Sequence, residues 1–163
     1  MKVLKLKKRK SGFTIIEVVL VLAIAGLIFL MVFLALPALQ RSQRDALRKR
    51  QAAMYIEAFN RAKANRVTFP GNEAKIDKLV RLGCLKNEEM LDPSTGEIYK
   101  LDNNATLNSL FKNYDKIPIG FYGISDYAEC RDNIPVSKTG RGGARVIIIP
   151  LENGGWICAD TQN

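Results

Sequence analysis

The sequence predicts an α+β protein: one long N-terminal α-helix, apolar in its first half and amphipathic in its second, packed on a small antiparallel β-sheet. Three observations predict it. Residues 18–36 are nineteen consecutive positions with no charged or polar side chain; as a helix they would be roughly 28 Å long, about the thickness of a bilayer's hydrocarbon core. Residues 39–64 are rich in Ala, Leu, Gln, Arg and Lys, all strong helix formers. Residues 117–128, 144–151 and 156–159 are apolar, β-branched or aromatic runs separated by turn residues. The expected organisation is a leader at 1–12, a membrane-spanning helix half at 13–38, and a head at 39–163 that includes the second half of the helix.

The leader holds six cations, Lys2, Lys5, Lys7, Lys8, Arg9 and Lys10, and no acid. They account for most of the formal charge of +9, because the remainder of the chain has 19 cations against 16 acids. A basic arm ahead of an apolar run is a membrane-targeting pattern, and it weakens a nucleic-acid reading of the charge. Five cations after the run (Arg41, Arg44, Arg48, Lys49 and Arg50) leave orientation nearly undecided by charge alone. Glu17 is the one ionisable group between Phe13 and Gln40. A carboxylate at the mouth of a membrane helix is costly and needs a partner.

The helix is expected to start near Phe13. Gly26 and Pro37 are its weak points, since an interior Gly costs about 1 kcal/mol relative to Ala and an interior Pro about 3 or more. Beyond Pro37 the spacing predicts an apolar stripe of Leu39, Ala46, Ala53, Ile56 and Phe59, with Leu47 and Met54 beside it. The polar face carries Arg41, Arg44, Arg48, Glu57, Arg61 and Lys63. Phe69-Pro70-Gly71-Asn72 ends the pattern, and Asn72 can cap a short helix over 73–83 with Ile76, Leu79, Val80 and Leu82 inward and Gly83 at its end. Asp92-Pro93-Ser94-Thr95-Gly96 reads as a turn leading to a strand at 97–101, and 102–116 as mostly loop. After the strand at 117–128, Asp132-Asn133-Ile134-Pro135 and Gly140-Arg141-Gly142-Gly143 read as parts of a mobile loop. The run at 144–151 is the strongest strand. Asn153-Gly154 then predicts a hairpin with positive φ at both central residues.

The three cysteines, Cys84, Cys130 and Cys158, leave at least one thiol without a partner in the same chain. The chain has no histidine and no Cys-x-x-Cys, which removes the commonest general base and metal ligand. We expect no enzyme, no cofactor and no metal centre. A calcium site using Asp92 and neighbouring oxygens, or Asp102, Asn103 and Asp115, lacks specific ligand spacing. Arg141-Gly142-Gly143-Ala144-Arg145 could touch DNA or an acidic surface, but two arginines without flanking aromatics read more simply as a solvated loop.

Ser11-Gly12-Phe13-Thr14-Ile15-Ile16-Glu17, with its basic leader, resembles the processing site of the type IV pilin family, which includes type II secretion pseudopilins and competence pilins. Gly26 also falls where members often carry a helix-breaking Gly, whereas the family's usual Pro lies three residues before Pro37, where this chain has Leu34. The resemblance implies cleavage between Gly12 and Phe13 by a prepilin peptidase that also methylates the new amine of Phe13. It implies that Glu17 meets the Phe13 ammonium of a neighbouring subunit, with Gly26 and Pro37 as places where the helix kinks or melts. The implied partners are identical or related pilin subunits, the inner-membrane assembly platform and membrane lipid. The chain would begin as a single-pass membrane precursor with its head outside the cytoplasm and end in an extracellular pilus. In the family a disulfide often closes a C-terminal loop, which here would join Cys130 and Cys158; reduced, buried cysteines or a pairing with Cys84 are the alternatives. Asp92-Pro93-Ser94-Thr95-Gly96-Glu97-Ile98-Tyr99 resembles the Asp-Pro…Gly…Tyr turn of major pseudopilins and many related pilins. The implied function is a structural subunit of a type IV pilus. The alternatives are a type II secretion pseudopilin, or an anchored binding protein that never polymerises.

Mass spectrometry of the mature chain should place its N-terminus at Phe13, carrying one methyl group. A mature chain that begins at Met1 or Lys2 would contradict the cleavage.

Overall fold

The structure is a computed structural model that describes residues 12–69, 75–106, 114–137 and 144–161. One helix, α1 (Ile15–Ala64), spans fifty residues and runs through Gly26 and Pro37 without interruption. It starts at Ile15 because Thr14 caps it. The chain divides into two units, the first ending at Leu39 and the second beginning at Gln40.

In the first unit no residue from Thr14 to Leu39 is buried. Phe29, Leu30, Phe33 and Leu34 are each more than 60% exposed. By length and composition the helix can cross a membrane. A continuous apolar surface of this size calls for lipid or other apolar helices around it.

In the second unit α1 buries Asp45, Arg48, Ala52, Tyr55, Ile56, Ala58, Phe59 and Ala62. This corrects the expected stripe. Ile56 and Phe59 face inward as expected, but Leu39, Ala46, Leu47 and Ala53 are exposed, and Arg48, expected on the solvated face, is fully buried. The apolar pattern alone misplaces the inward face by part of a turn, because two of the inward positions are charged residues whose partners come from distant loops.

After α1 comes α2 (Ile76–Arg81), which buries Ile76 and Leu79, while Leu82 is exposed rather than inward. Gly83 closes α2 in the left-handed region at φ 69°. The expected cap Asn72 and the Pro70-Gly71 turn lie outside the described residues. A short 3-10 turn covers Asn87–Met90, and Leu91 and Ile98 form an isolated antiparallel bridge. Strand β1 (Lys100–Thr106) extends into the stretch expected to be loop. The Asp102-Asn103-Asn104 composition is poor for a strand, and the register with β2 shifts across it, between the paired Leu101 and Thr106. A second 3-10 turn, Tyr114–Lys116, precedes β2 (Phe121–Arg131).

Strand β2 turns tightly into β3 (Ile134–Ser137), with Arg131 opposite Ile134. The connecting Asp132 and Asn133 have φ of 50° and 63°. Asp and Asn tolerate this conformation better than most residues, and a two-residue turn with both φ positive matches the twist of a hairpin. The expected loop at 132–135 is therefore a hairpin; Gly140 to Gly143 lie outside the described residues. Strands β4 (Ala144–Pro150) and β5 (Trp156–Asp160) fall where expected. Their turn is longer than a two-residue Asn-Gly turn: Pro150 pairs with Trp156, and Gly154 and Gly155, at φ 90° and 80°, take the left-handed positions in place of Asn153.

The sheet runs β1-β2-β4-β5, with β3 also paired to β2. All pairs are antiparallel except β1–β2, which is parallel; residues 107–120 supply the long crossover that a parallel pair requires. Strand β4 is central and covered on both faces. Ile147 and Ile149 join Ala52, Tyr55, Ile56 and Phe59 of α1 in the main core, together with Tyr122 and Ile124 of β2. Val146 and Ile148 point the other way, into a second cluster with Ile117 and Ala128, against which Trp156 and Cys158 pack. Burial on both faces is why this strand reads as an unbroken apolar run.

Cys130 and Cys158 form a disulfide with Cα atoms 5.7 Å apart. Cys158 pairs with Ile148, and Gly123 pairs with Ile148 on the other side. A straight β2 would carry Cys130 about 23 Å along from Gly123, so the bond closes only because β2 bends at its bulge between Ser125 and Ala128. Asn133 reinforces the bend: its carbonyl accepts from the Trp156 indole at 2.8 Å and its side-chain oxygen accepts from the Cys158 N–H at 2.8 Å. Cys84 is a free thiol and is half-buried.

Candidate functional site

The first turn of α1 is organised by Thr14 and Glu17. The Thr14 N–H and hydroxyl both donate to Glu17 Oε2 at 2.8 Å, and the Glu17 N–H donates to Thr14 Oγ1 at 3.4 Å. This is a capping box, Thr-x-x-Glu, in which each side chain satisfies a backbone donor that the helix start leaves unpaired. The Glu17 carboxylate also lies at the positive end of the helix dipole, a favourable placement for an anion. Glu17 thus has a partner in its own chain, at the Thr-x-x-Glu spacing that the sequence carries. Glu17 Oε1 has no hydrogen bond among the described residues. Phe13 is 90% exposed, and it shares with Glu17, Val18, Val21 and Leu22 an apolar cleft of about 290 Å³.

Glycines 12 and 26 are not demanded by packing within the chain. A Cβ placed on either would meet no atom within 4 Å.

A family model described as the prokaryotic N-terminal methylation motif matches residues 7–33. The chain carries the prepilin signature of type IV pilins and pseudopilins. The match takes in Gly12, Phe13, Glu17 and Gly26 and ends before Pro37. No curated protein and no solved structure matches the chain.

Downstream of the prepilin signature, the second unit holds a buried ionic cluster around Arg48. Its guanidinium donates to Asp92 through Nε (3.2 Å) and Nη2 (3.1 Å), to Asp45 through Nη1 (2.9 Å) and to Ser94 Oγ through Nη2 (3.0 Å). Nη1 is also 2.9 Å from Glu152 Oε1. Arg44 grips the same Glu152 with two bonds of 2.7 and 2.6 Å. Asp45 accepts the backbone N–H groups of Glu152 and Asn153 at 2.8 and 3.1 Å. Asp92 accepts from the N–H groups of Ser94 and Thr95 at 2.8 and 3.1 Å, which shapes its own turn. Gly96 completes that turn at φ 71°, its N–H donating to the Asp92 carbonyl at 2.8 Å.

Tyr99 is 3% exposed, and its hydroxyl donates to Gln51 Oε1 at 3.0 Å while Gln51 Nε2 donates to the Leu91 carbonyl at 2.6 Å. The turn is thus held at both ends by α1. Asp92, considered above for calcium, directs its oxygens to Arg48, Ser94 and Thr95, so the guanidinium occupies the face a cation would need. Asp102 lies in β1 and Asp115 in the second 3-10 turn.

The electrostatics follow the geometry. Bonds from Arg44, opposed by desolvation and helped by Arg48, pull the Glu152 carboxyl down to about 2. Burial opposes ionisation of Asp92, but bonds from Ser94 and the charge of Arg48 outweigh it and lower its pKa. Burial likewise opposes the charge on Arg48, and bonds to Glu152, Asp92 and Asp45 more than restore it. Burial raises the Tyr99 hydroxyl well above its ordinary value.

Two outcomes test this cluster. Arg48→Ala leaves Asp92 and Asp45 buried without their counter-ion, and should cost about 3–5 kcal/mol in chemical denaturation. Glu152 has a depressed pKa in the folded chain, so its contribution is fully present above its ordinary 4.5 and is lost as pH falls toward about 2. The unfolding midpoint should therefore fall through that window, and the fall should be shallower in Arg44→Ala.

Proposed function

We propose that this chain is a structural subunit of a type IV pilus, assembled through α1 after cleavage at Gly12 and N-methylation of Phe13. The observation that carries the reading is the methylation-motif match at residues 7–33 on a chain whose Phe13 and Glu17 share one exposed apolar cleft. Cleavage after Gly12 removes the six leader cations, which could not enter an apolar helical bundle. It creates an ammonium on Phe13, and methylation keeps that charge. In apolar surroundings such a charge requires an anion. Glu17 Oε1 of a neighbouring subunit supplies it, while Thr14 holds Oε2. Pairing neutralises two groups that are costly separately and sets the stagger between subunits.

The partners are then copies of this chain or related pilins, the peptidase that cleaves and methylates, the assembly platform and membrane lipid. The precursor resides in the membrane and the product outside the cell. The same match also fits a type II secretion pseudopilin, and the docked turn from Asp92 to Tyr99 favours keeping that reading, since major pseudopilins carry a similar turn. A long sheared surface filament separates pilus from pseudopilus. An anchored protein that never polymerises would yield neither.

Glu17→Gln retains the capping acceptor and removes the charge, whereas Glu17→Lys removes both. Both variants should be cleaved after Gly12 and remain in the membrane fraction, with sheared filament reduced at least tenfold. Wild-type amounts of filament from Glu17→Lys would overturn the ion-pair joint.

A further inference from the structure

Two helices of this chain end with the same hydrogen-bond pattern. At the end of α2 the Gly83 N–H donates to the Val80 carbonyl at 2.9 Å and the Cys84 N–H to the Leu79 carbonyl at 3.0 Å. At the end of α1 the Arg66 N–H donates to the Lys63 carbonyl at 3.0 Å and the Val67 N–H to the Ala62 carbonyl at 3.1 Å. Both are Schellman closures, which place one residue in the left-handed region. Gly83 occupies that position in α2 at φ 69°, as the motif prefers; in α1 the position belongs to Arg66 at φ 59°. An L-residue with a long side chain is disfavoured there, and such outliers concentrate where a side chain has a task.

Arg66 lines a cleft of about 460 Å³ together with Lys63 and Arg145, against walls that include Phe59 and Phe69. Three cations line this cleft, and no Asp or Glu is among its described lining residues. Neither Lys63 nor Arg66 pairs with an acid among the described residues. Arg145 is buried, and its guanidinium lies 4.8 Å from the centre of the Phe59 ring. Phe69, whose ring packs 5.2 Å from that of Phe59, also carries Lys78 at 5.3 Å. Positive charge at a helix C-terminus is favourable in itself, which accounts for a cation near this end but not for one in the residue that glycine suits best.

We propose that this cleft is a binding site for a compact phosphate-bearing anion, held by Arg66 and Lys63 with the buried Arg145 beside it. Guanidinium groups match phosphate oxygens with two parallel bonds, and an ammonium adds charge without fixed geometry. The ligand is either a free diphosphate or the phosphate of a sugar monoester. The proposal does not depend on filament assembly.

The test is calorimetric titration of the full processed chain, in a neutral detergent at low salt, with inorganic pyrophosphate and separately with glucose 6-phosphate. Saturable binding of either supports the site and identifies which source it takes. Arg66→Gly should weaken that binding at least tenfold while leaving the thermal midpoint at or above wild type, because glycine relieves the left-handed strain. Arg66→Gly combined with Lys63→Ala should abolish it. Absence of saturable binding of both probes to wild type, or equal affinity in Arg66→Gly, would overturn the proposal.

Discussion

A guanidinium with no solvent exposure survives only when every nearby acceptor is arranged around it, and Arg48 imposes that constraint on the second unit. It links α1 to Asp92 in the turn before β1 and to Glu152 in the turn between β4 and β5. These segments lie more than forty and a hundred residues away in sequence. Arg44 and Asp45 complete the enclosure from the same helix, one by gripping Glu152 and the other by accepting its backbone N–H. An ion pair of this kind is weak as a source of net stability but strict in what it permits, because a misplaced turn would strand a buried charge. Its contribution is therefore one of registration: it determines where the two turns sit on the helix, while Tyr55, Ile56, Phe59, Ile147 and Ile149 provide the apolar burial.

The same helix is governed by opposite requirements in its two units. Up to Leu39 it exposes apolar side chains on all sides, with one carboxylate at its start. From Gln40 onward it buries one face against a sheet. The capping box joins local structure to chemistry at the first turn, since the contacts that start the helix also direct one Glu17 oxygen inward to Thr14 and leave the other available. The continuous helix through Pro37 combines both requirements in one element.

Much of this was readable from residue order because it rests on local rules. The uncharged run, the helix formers after it, the β-branched strand at 144–151 and the processing motif all announce themselves within short windows. What failed did so for identifiable reasons. The inward face of α1 was misplaced because Asp45 and Arg48 are buried by partners that no helical period can anticipate. Strand β1 runs on past Leu101 to Thr106, across an Asn-rich stretch where its register with β2 shifts, and no local preference signals that extension. The Asp132-Asn133 turn passed as a loop, although two adjacent residues tolerant of positive φ were a fair signal for a hairpin. The parallel β1–β2 pairing has no local signature. Arg66 could be named only once its backbone was seen to take the conformation that Gly83 takes in α2.

Arg48 makes the helix from Asp45 to Ala62, the turn at Asp92 and strand β4 a single cooperative body. Hydrogen exchange by mass spectrometry, on the full chain in detergent micelles, tests it most directly by comparing wild type with Arg48→Met. Protection should fall together in residues 45–62, 91–99 and 144–150, while residues 18–36 exchange as in wild type. A loss of protection confined to residues 91–99, with the helix and β4 unchanged, would contradict it.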